Sequence, residues 1–591
     1  MAIVLHVALL ALLGAQQPST APATIEGVVV KTGTREPLAG AMIQLDRERG
    51  DEFRRVEEQP PPAPGAPPPR PPESHFGATT ALDGKFVIEN IPPGEYRLYA
   101  TRAGGYVPGE YGQRTPAGRG ISVELSPGEK KTDIQLSLTP TGSISGRVYD
   151  GDGEPEGQAT VQALRPIYRD GRRALTIVQS VVTNDRGEYR LFWLPPGQYY
   201  VSAKTGDVQN PRQVRITEPA RFVTFEQASS PTVRSRTLPT GEVVEETQVA
   251  VYYPGTPIAG AATPIDLRAG GNANGIDIPV ANGPVRTRRI RGFVTSQATG
   301  QPLAQAQILV IPRTTDPSFA IPNDLTRPDG SFDVGGVVPG FYFLFASSRG
   351  ETGGVALQVA DANVDNVAVV ATTGFNLSAR LVVEGQPRDG GADPLATLRI
   401  FLRRDPDVLG MPSAGPTFNR PPAADGSFVL EGVPPGDFQV ALGPPGMVRA
   451  LPADAYIKSM RLGGADVLDD GLHLSAQPRD VLEIVIGYAG RINGTVTNAR
   501  REGQPGATVV AVPDSGDRSR PERYKSVSTD GGGRFQIQGI APGTYKLFAW
   551  EDIEDGAWHD PDIMRAYESR GTSVRVRDGN DETVQLMVIP R

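Results

Sequence analysis

The sequence contains no cysteine among its 591 residues. This absence excludes disulfide bonds, thiol nucleophiles, iron–sulfur ligation and zinc sites built from cysteine. Only four histidines are present, and none lies in an H-x-x-E or H-E-x-x-H pair, so we do not expect a histidine-based catalytic metal centre. Small domains in such a chain must be stabilised by packing rather than by disulfide cross-links.

Positive charge and long apolar segments are also scarce. The 59 Lys and Arg residues against 67 Asp and Glu residues give a net charge of −8, without the basic stripe that nucleic acids attract. No segment beyond the N-terminal region reaches the roughly 18 apolar residues of a membrane-spanning helix. We therefore predict neither a nucleic-acid partner nor a membrane span in the mature chain.

The N-terminal region carries one apolar run of eleven residues, 3–13, followed by small residues. Ala21-Pro22-Ala23 fits a small-x-small cleavage site. We predict that residues 1–23 are a cleavable signal peptide and that the protein is exported to the periplasm, the cell surface or the extracellular space. A buried N-terminal strand or helix is the alternative.

Glycine and proline are abundant, with 69 and 56 residues, which favours short strands separated by turns. One 15-residue unit recurs five times, with an aromatic residue first, glycine eight positions later and a second aromatic ten positions later. Its copies are residues 86–100, 189–203, 332–346, 428–442 and 535–549. Apolar and polar residues alternate on both sides of a Pro-Pro-Gly type sequence, so we predict a β-hairpin closed by a type II turn.

A second element, Ile-x-Gly-x-Val, precedes each unit. It occupies residues 25–29, 144–148, 290–294 and 492–496, with a weaker copy at 377–381. Further strand patterns end each repeat, which gives about seven short strands in about 90–140 residues, the number found in a Greek-key β-sandwich.

The combined pattern, from G-x-V through D-G-x-F to P-P-G-x-Y, resembles the carboxypeptidase regulatory-like domain. That resemblance implies an all-β fold of five tandem transthyretin-like or immunoglobulin-like sandwiches of the carbohydrate-binding-like type. Their predicted boundaries, called repeats 1 to 5 below, are 24–140, 141–283, 284–372, 373–488 and 489–591. Since the zinc-binding pair of the catalytic domain is missing, the resemblance implies binding or scaffolding without enzymatic activity or a cofactor.

Two insertions interrupt the repeats. Residues 59–72 in repeat 1 contain nine prolines in fourteen positions and predict an exposed polyproline segment. This segment is interpreted either as a docking strip for an aromatic groove or as an extended surface loop. Repeat 2 carries a longer insertion, residues 207–249.

Phe192 and Trp193 occupy the bend of the unit in repeat 2, where the other copies have polar residues or glycine. We predict that both side chains project outward and bind a ligand, either by stacking on a sugar or by anchoring a partner. The alternative is packing against a neighbouring domain or the repeat's own insertion.

Residues 550–562 in repeat 5 hold six carboxylates, one histidine and two tryptophans. Trp550, Trp558, Asp552 and Asp555 are therefore further candidates for ligand binding, again with outward-facing aromatics. Oxygen-rich loops can bind Ca²⁺, but the spacing does not match D-x-D-x-D-G, so the signal for this cofactor is weak and no metal ligands are assigned. A solvated acidic loop is the alternative.

The sequence as a whole predicts an exported, non-enzymatic, multidomain binding or adhesion protein whose partner is a glycan or a cell-envelope protein. Neither a G-x-S-x-G motif nor a phosphate-binding loop is present. One alternative is a structural spacer or scaffold in a bacterial cell-envelope complex. The other is a set of accessory domains of a carboxylate-dependent hydrolase, with its site near residues 550–562.

Overall fold

The fold is described from a computed structural model of the chain. It describes residues 21–47, 75–116, 118, 120–169, 172–205, 231, 233–313, 321–385, 400–404, 422–442, 455–468, 470–514, 518, 523–577 and 579–590. The chain divides into two compact units, residues 1–140 and 141–591. In the described ranges, no helix has both the length and the apolar character needed to cross a membrane.

Repeat 1 forms two β-sheets that share one hydrophobic core. Its strands are β1 (Ala23–Lys31), β2 (Met42–Arg47), β3 (His75–Thr79), β4 (Lys85–Ile91), β5 (Gly94–Thr101), β6 (Tyr106–Val107), β7 (Gly109–Glu110), β8 (Val123–Leu125) and β9 (Lys130–Pro140). One sheet has the order β4-β1-β9-β6; the other has the order β3-β2-β5-β7, with β8 also paired to β5. Ile25, Leu45 and Tyr96 are among the buried side chains that fill the core.

Repeat 2 follows the same plan and adds a small sheet from its insertion. Its strands are β10 (Gly142–Tyr149), β11 (Thr160–Arg169), β12 (Arg172–Val182), β13 (Glu188–Leu194), β14 (Gly197–Lys204), β15 (Val233–Thr237), β16 (Val243–Gln248), β17 (Val251–Tyr252), β18 (Ile265–Leu267), β19 (Asn272–Ala273) and β20 (Ile278–Pro279). The added sheet has the order β15-β16-β21, in which β21 (Pro284–Arg286) lies beyond the predicted end of repeat 2. Backbone pairing therefore crosses the predicted boundary at residues 283 and 284.

Repeats 3 and 4 again contain two sheets each. The strands of repeat 3 are β22 (Arg288–Ser296), β23 (Gln307–Pro312), β24 (Asn323–Leu325), β25 (Ser331–Val337), β26 (Gly340–Ser348), β27 (Glu351–Val359) and β28 (Val364–Ala371). Those of repeat 4 are β29 (Phe375–Glu384), β30 (Ile400–Arg404), β31 (Ser427–Val433), β32 (Gly436–Leu442), β33 (Ala455–Leu462), β34 (Ala465–Asp466), β35 (Leu472–Leu474) and β36 (Leu482–Tyr488).

Repeat 5 has sheets of order β40-β37-β43 and β39-β38-β41-β42. Its strands are β37 (Gly490–Thr497), β38 (Thr508–Pro513), β39 (Lys525–Ser528), β40 (Arg534–Ile540), β41 (Gly543–Trp550), β42 (Thr572–Val576) and β43 (Asp581–Met587). A short α-helix, Pro561–Arg565, lies between β41 and β42. The predicted all-β sandwich fold is confirmed.

The predicted hairpin is wrong, because the two strands of the recurring unit lie in different sheets. In repeat 1, β4 pairs with β1 whereas β5 pairs with β2. The same separation holds for β13 and β14, β25 and β26, β31 and β32, and β40 and β41. The Pro-Gly segment is therefore an arch that carries the chain from one sheet to the other. Alternation identifies two half-buried strands, but it does not determine their hydrogen-bonding partners.

The second aromatic of the unit closes the arch through its hydroxyl group. The hydroxyl of Tyr96 donates to the carbonyl of Pro92 over 2.7 Å, and that of Tyr342 donates to the carbonyl of Val338 over 2.7 Å. Repeats 2 and 5 repeat this bond, whereas repeat 4 has Phe438. A buried ring with a hydrogen-bonded hydroxyl is a low-cost way to fix such a turn.

Alkaline pH should weaken the arches that contain tyrosine. Burial raises the pKa of Tyr342 from 10.0 to about 12, so the folded chain keeps this phenol neutral where the unfolded chain ionises it. Its contribution to stability is therefore complete below pH 10 and is lost as the pH rises towards about 12. Tyrosinate absorbance should show one late-titrating group fewer in Tyr342→Phe than in the native chain, where burial also raises the pKa of Tyr199 to about 12. An unchanged titration curve in that variant would contradict this assignment.

The glycine of Ile-x-Gly-x-Val is required by close packing rather than by backbone conformation. A Cβ on Gly292 would overlap the carbonyl oxygen of Val367 on the neighbouring parallel strand and lie 2.7 Å from the ring Cζ of Phe332. The glycine therefore allows the first aromatic of the unit to cover the first strand. Gly27 and Gly494 meet their aromatic rings in the same way.

Gly292→Ala should therefore destabilise repeat 3 by about 1–3 kcal/mol, the usual cost of overpacking. Hydrogen exchange of the repeat 3 amides measures this loss. Gly464→Ala is the control, measured on the amides of its own repeat 4, because a Cβ there meets nothing within 4 Å. Equal effects of the two substitutions would show that the close approach is absent.

Each repeat has its own principal cluster of buried apolar side chains. Representative members are Leu98 in repeat 1, Val201 in repeat 2, Leu344 in repeat 3, Ile484 in repeat 4 and Leu547 in repeat 5. Each repeat therefore has a principal core of its own, even where strands pair across a boundary.

Candidate functional site

The fifth position of the recurring unit, named here the arch position, has a left-handed backbone in all five repeats. The residues and their φ angles are Asn90 (60°), Trp193 (57°), Gly336 (74°), Gly432 (67°) and Gly539 (66°). Glycine adopts this conformation without steric cost, and asparagine adopts it more readily than other residues with side chains. Tryptophan is a bulky residue in this setting, and its left-handed backbone costs about 1–2 kcal/mol.

The predicted outward orientation of Phe192 and Trp193 is confirmed. Their side chains are 39% and 49% exposed. The two rings meet edge to face, with centroids 5.0 Å apart and planes at 80°. The backbone N–H of Phe192 donates to Oε1 of Gln179 on β12 over 2.9 Å, which ties the pair to a strand of the other sheet. Repeat 2 thus presents a fixed aromatic pair, and ligand binding by this pair stays a prediction.

The predicted outward orientation of Trp550 and Trp558 is wrong. They are only 1% and 6% exposed. Both lie in a second core of repeat 5, which also contains Val510, Val512, Tyr524, Phe548, Met564 and Ile589. Phe548 stacks on Trp550 with ring centroids 5.2 Å apart. These two tryptophans support the fold and present little surface to a ligand.

The sequence itself carries a signal for this second core. In β38 and β41, apolar residues occur on both strand faces, as in Val509 and Val510 or Leu547 and Phe548. Such continuous apolar runs are typical of strands buried on both sides. The first face fills the sandwich core, and the second is covered by the segment that contains Trp558 and Met564.

The carboxylates of residues 550–562 have separate roles. Asp552 is half-buried and Asp555 is exposed. The carboxylate of Asp560 accepts the backbone N–H of Asp562 over 2.9 Å and caps the short helix. Within the described ranges, no group of three or more His, Asp and Glu side chains could hold a metal ion. The described residues thus add no support for calcium, and the ligand-binding prediction for Asp552 and Asp555 is untested.

Two sequence predictions lie outside the described residues. The signal peptide falls almost entirely on residues 1–20, and the proline-rich insertion falls within residues 48–74. Part of the repeat 2 insertion, residues 207–230 and 232, is also outside them.

With the geometry in place, comparison with protein families gives a match at the C-terminal end of the chain. The carboxypeptidase regulatory-like domain matches residues 491–587. Repeat 5 contains a carboxypeptidase regulatory-like domain. The match spans β37 to β43, including the arch and all of the second core except Ile589. The sequence resemblance is thereby confirmed in this repeat, and the chain is a multidomain β-sandwich protein that includes a carboxypeptidase regulatory-like domain.

Curated relatives cover less than half of the chain. The BOS complex subunit NOMO1 of Mus musculus is 24% identical over 286 residues, which are 44% of this chain and 21% of that protein. The BOS complex subunit NOMO3 of Homo sapiens is 25% identical over 287 residues, with coverages of 44% and 21%. The matched part of this chain corresponds to about a fifth of the length of these relatives.

Solved structures with partial similarity include two pilins. A Streptococcal ancillary pilin is 14% identical, covers 59% of this chain and 99% of its own, and has a TM-score of 0.19. The minor pilin GBS52 of Streptococcus agalactiae is 14% identical, covers 44% and 95%, and has a TM-score of 0.21. At these scores the similarity adds nothing to the fold or the function.

Proposed function

We propose that the protein is an exported, non-enzymatic binding scaffold and that the Phe192–Trp193 pair of repeat 2 is its ligand contact. The ligand class we favour is carbohydrate, because an aromatic face exposed on a rigid sheet suits the apolar face of a sugar ring. A cell-envelope protein anchored on the same pair is the alternative ligand. Trp550 and Trp558 have no part in this proposal, since both are buried.

The observation that supports the proposal is the conformation of Trp193. Three repeats place glycine at the arch position and one places asparagine, so the fold itself does not need tryptophan there. A strained backbone that carries a half-exposed aromatic suggests a functional role, because strain of this kind tends to persist at binding sites. Phe192 supports the indole ring from its edge and limits its freedom before binding.

Binding of the full chain to a glycan array and to cell-envelope fractions tests the proposal. Trp193→Ala should weaken binding about thirtyfold, whereas Phe341→Ala should leave it unchanged. Phe341 is the matched control, since it is 59% exposed but lies on β26, five residues beyond the arch position of repeat 3. Array binding identifies a carbohydrate ligand, and capture from envelope fractions alone identifies a protein. Native affinity in Trp193→Ala would contradict the assignment of the site.

A structural scaffold in a cell-envelope complex is the second candidate, and one feature favours it. The insertion of repeat 2 packs on repeat 3, where a Cβ on Gly336 would lie 2.7 Å from Pro231 and 2.9 Å from Val233. Arg289 of repeat 3 also donates to Glu245 of the insertion over 2.9 Å. Docked repeats are what a rigid spacer needs, and the curated relatives are named as subunits of a complex. Loss of Trp193 without any loss of binding partners would favour this candidate.

A further inference from the structure

The loop after β41 in repeat 5 contacts repeat 2, although the two are almost 400 residues apart in the sequence. A Cβ on Gly556 would lie 2.9 Å from Cβ of Tyr168 and 3.4 Å from its carbonyl oxygen. Tyr168 lies near the end of β11, where that strand turns back into β12. The approach is so close that a side chain at residue 556 would require a small shift between the two repeats.

Charged groups on both sides of this contact influence one another. Burial raises the pKa of Glu554, against the opposing effect of the positive charges of Arg165 and Arg173. Burial also raises the pKa of Tyr168, with a smaller contribution from the negative charge of Glu554. The loop thus brings a carboxylate towards two arginines of the β11–β12 hairpin.

The loop is held in position by its own repeat. Gly556 has a left-handed backbone with φ of 80° and precedes a short 3-10 turn whose residues Ala557 and Trp558 are buried. Trp558 belongs to the second core of repeat 5, together with Met564 of the short helix. The acidic part of the loop is therefore attached to buried, packed residues. The loop loses little conformational freedom when it contacts repeat 2.

We propose that residues 553–560 are a clasp that recognises the β11–β12 hairpin of repeat 2 in the same chain. The clasp joins the last sandwich to the second one, and this gives the tryptophan-rich acidic segment a role in binding another repeat. The partner surface consists of Arg165, Tyr168 and Arg173. The clasp does not depend on the ligand proposed for Phe192 and Trp193, because none of its residues belongs to that pair.

Cysteine pairing tests the clasp cleanly, because the chain has no native cysteine. In the double variant Tyr168→Cys/Gly556→Cys, a small shift would bring the two Cβ atoms to the roughly 3.5–4.5 Å of a disulfide. The matched control is Asp152→Cys/Gly556→Cys, since Asp152 precedes the opposite end of β11.

Under mild oxidation, the intramolecular disulfide should form at least about tenfold faster in the clasp pair than in the control pair, because held thiols have a high effective concentration. Non-reducing electrophoresis and peptide mapping measure both rates. Equal rates in the two pairs would overturn the proposal. Disulfide-linked dimers in place of the intramolecular product would also overturn it, because they would place the partner hairpin in a second copy.

Gly556→Ala provides a second test that needs no disulfide. Gly153→Ala is its control, because the two glycines have similar φ angles, 80° and 84°, but a Cβ on Gly153 meets nothing within 4 Å. Backbone strain is therefore matched, and only Gly556→Ala also pushes against Tyr168. Hydrogen exchange in residues 160–182 should rise at least about threefold more in Gly556→Ala than in the control. Equal exchange in the two variants would contradict the clasp.

Discussion

Replacing Trp550 with alanine is expected to destabilise repeat 5 by about 3–5 kcal/mol, the usual cost of removing a buried tryptophan. The side chain is 1% exposed and packs between Phe548, Tyr567 and the rest of the second core. Because a multidomain chain does not unfold in one step, repeat 5 must be measured by itself, through hydrogen exchange of its amides.

Two control variants show whether the loss of stability comes from the buried side chain of Trp550. Trp550→Phe should cost much less than Trp550→Ala, because the buried indole N–H has no hydrogen-bond partner among the described residues and its removal leaves no acceptor unpaired. Trp193→Ala deletes an equally large but half-exposed side chain and should not destabilise repeat 5. If Trp550→Ala left repeat 5 as stable as the native chain, the second core would be disproved.

Substitution of Trp193 by glycine or asparagine should have opposite effects on stability and on binding. Either residue relieves the left-handed strain, so repeat 2 should gain about 1 kcal/mol of stability. Loss of the aromatic anchor should cost about 2 kcal/mol of binding free energy, or about thirtyfold in affinity. Hydrogen exchange in repeat 2 measures the first effect, and titration with the ligand found in the binding screen measures the second.

Asparagine is the more informative replacement, because Asn90 occupies the same arch position in repeat 1 with φ of 60°. Its stabilising effect can therefore be compared with a residue that the fold already accepts there. A variant that lost stability while it kept full affinity would show that Trp193 is a packing residue. That outcome would favour the alternative interpretation, in which Phe192 and Trp193 pack against a neighbouring domain or against the insertion.

The sequence was sufficient to predict the strands, because the alternation of apolar and polar residues and its interruption by glycine and proline are local properties. It was insufficient for the pairing of strands. In repeat 1, the same alternation is compatible both with a hairpin of β4 and β5 and with the arch that is observed. Only the positions of β1 and β2, more than 35 residues upstream, decide between them. Close packing at Gly292 likewise depends on a parallel strand that follows much later in the chain.

The candidate site was predicted in part. Outward projection of Phe192 and Trp193 followed from comparison of equivalent positions, which is reliable when four other copies provide the reference. The aromatic residues of repeat 5 had no such reference, and their acidic neighbours favoured an exposed loop. Apolar residues on both faces of β38 and β41 were the stronger indication, because each face of a strand needs its own cover.

Hydrogen exchange of the full chain carrying Leu344→Ala is the most direct test of the central claim that each repeat closes its own core. Leu344 is fully buried in repeat 3. Protection should fall in residues 288–371 and remain at its native level in residues 490–587. Loss of protection spread evenly over both ranges would mean one shared core, and it would contradict the account.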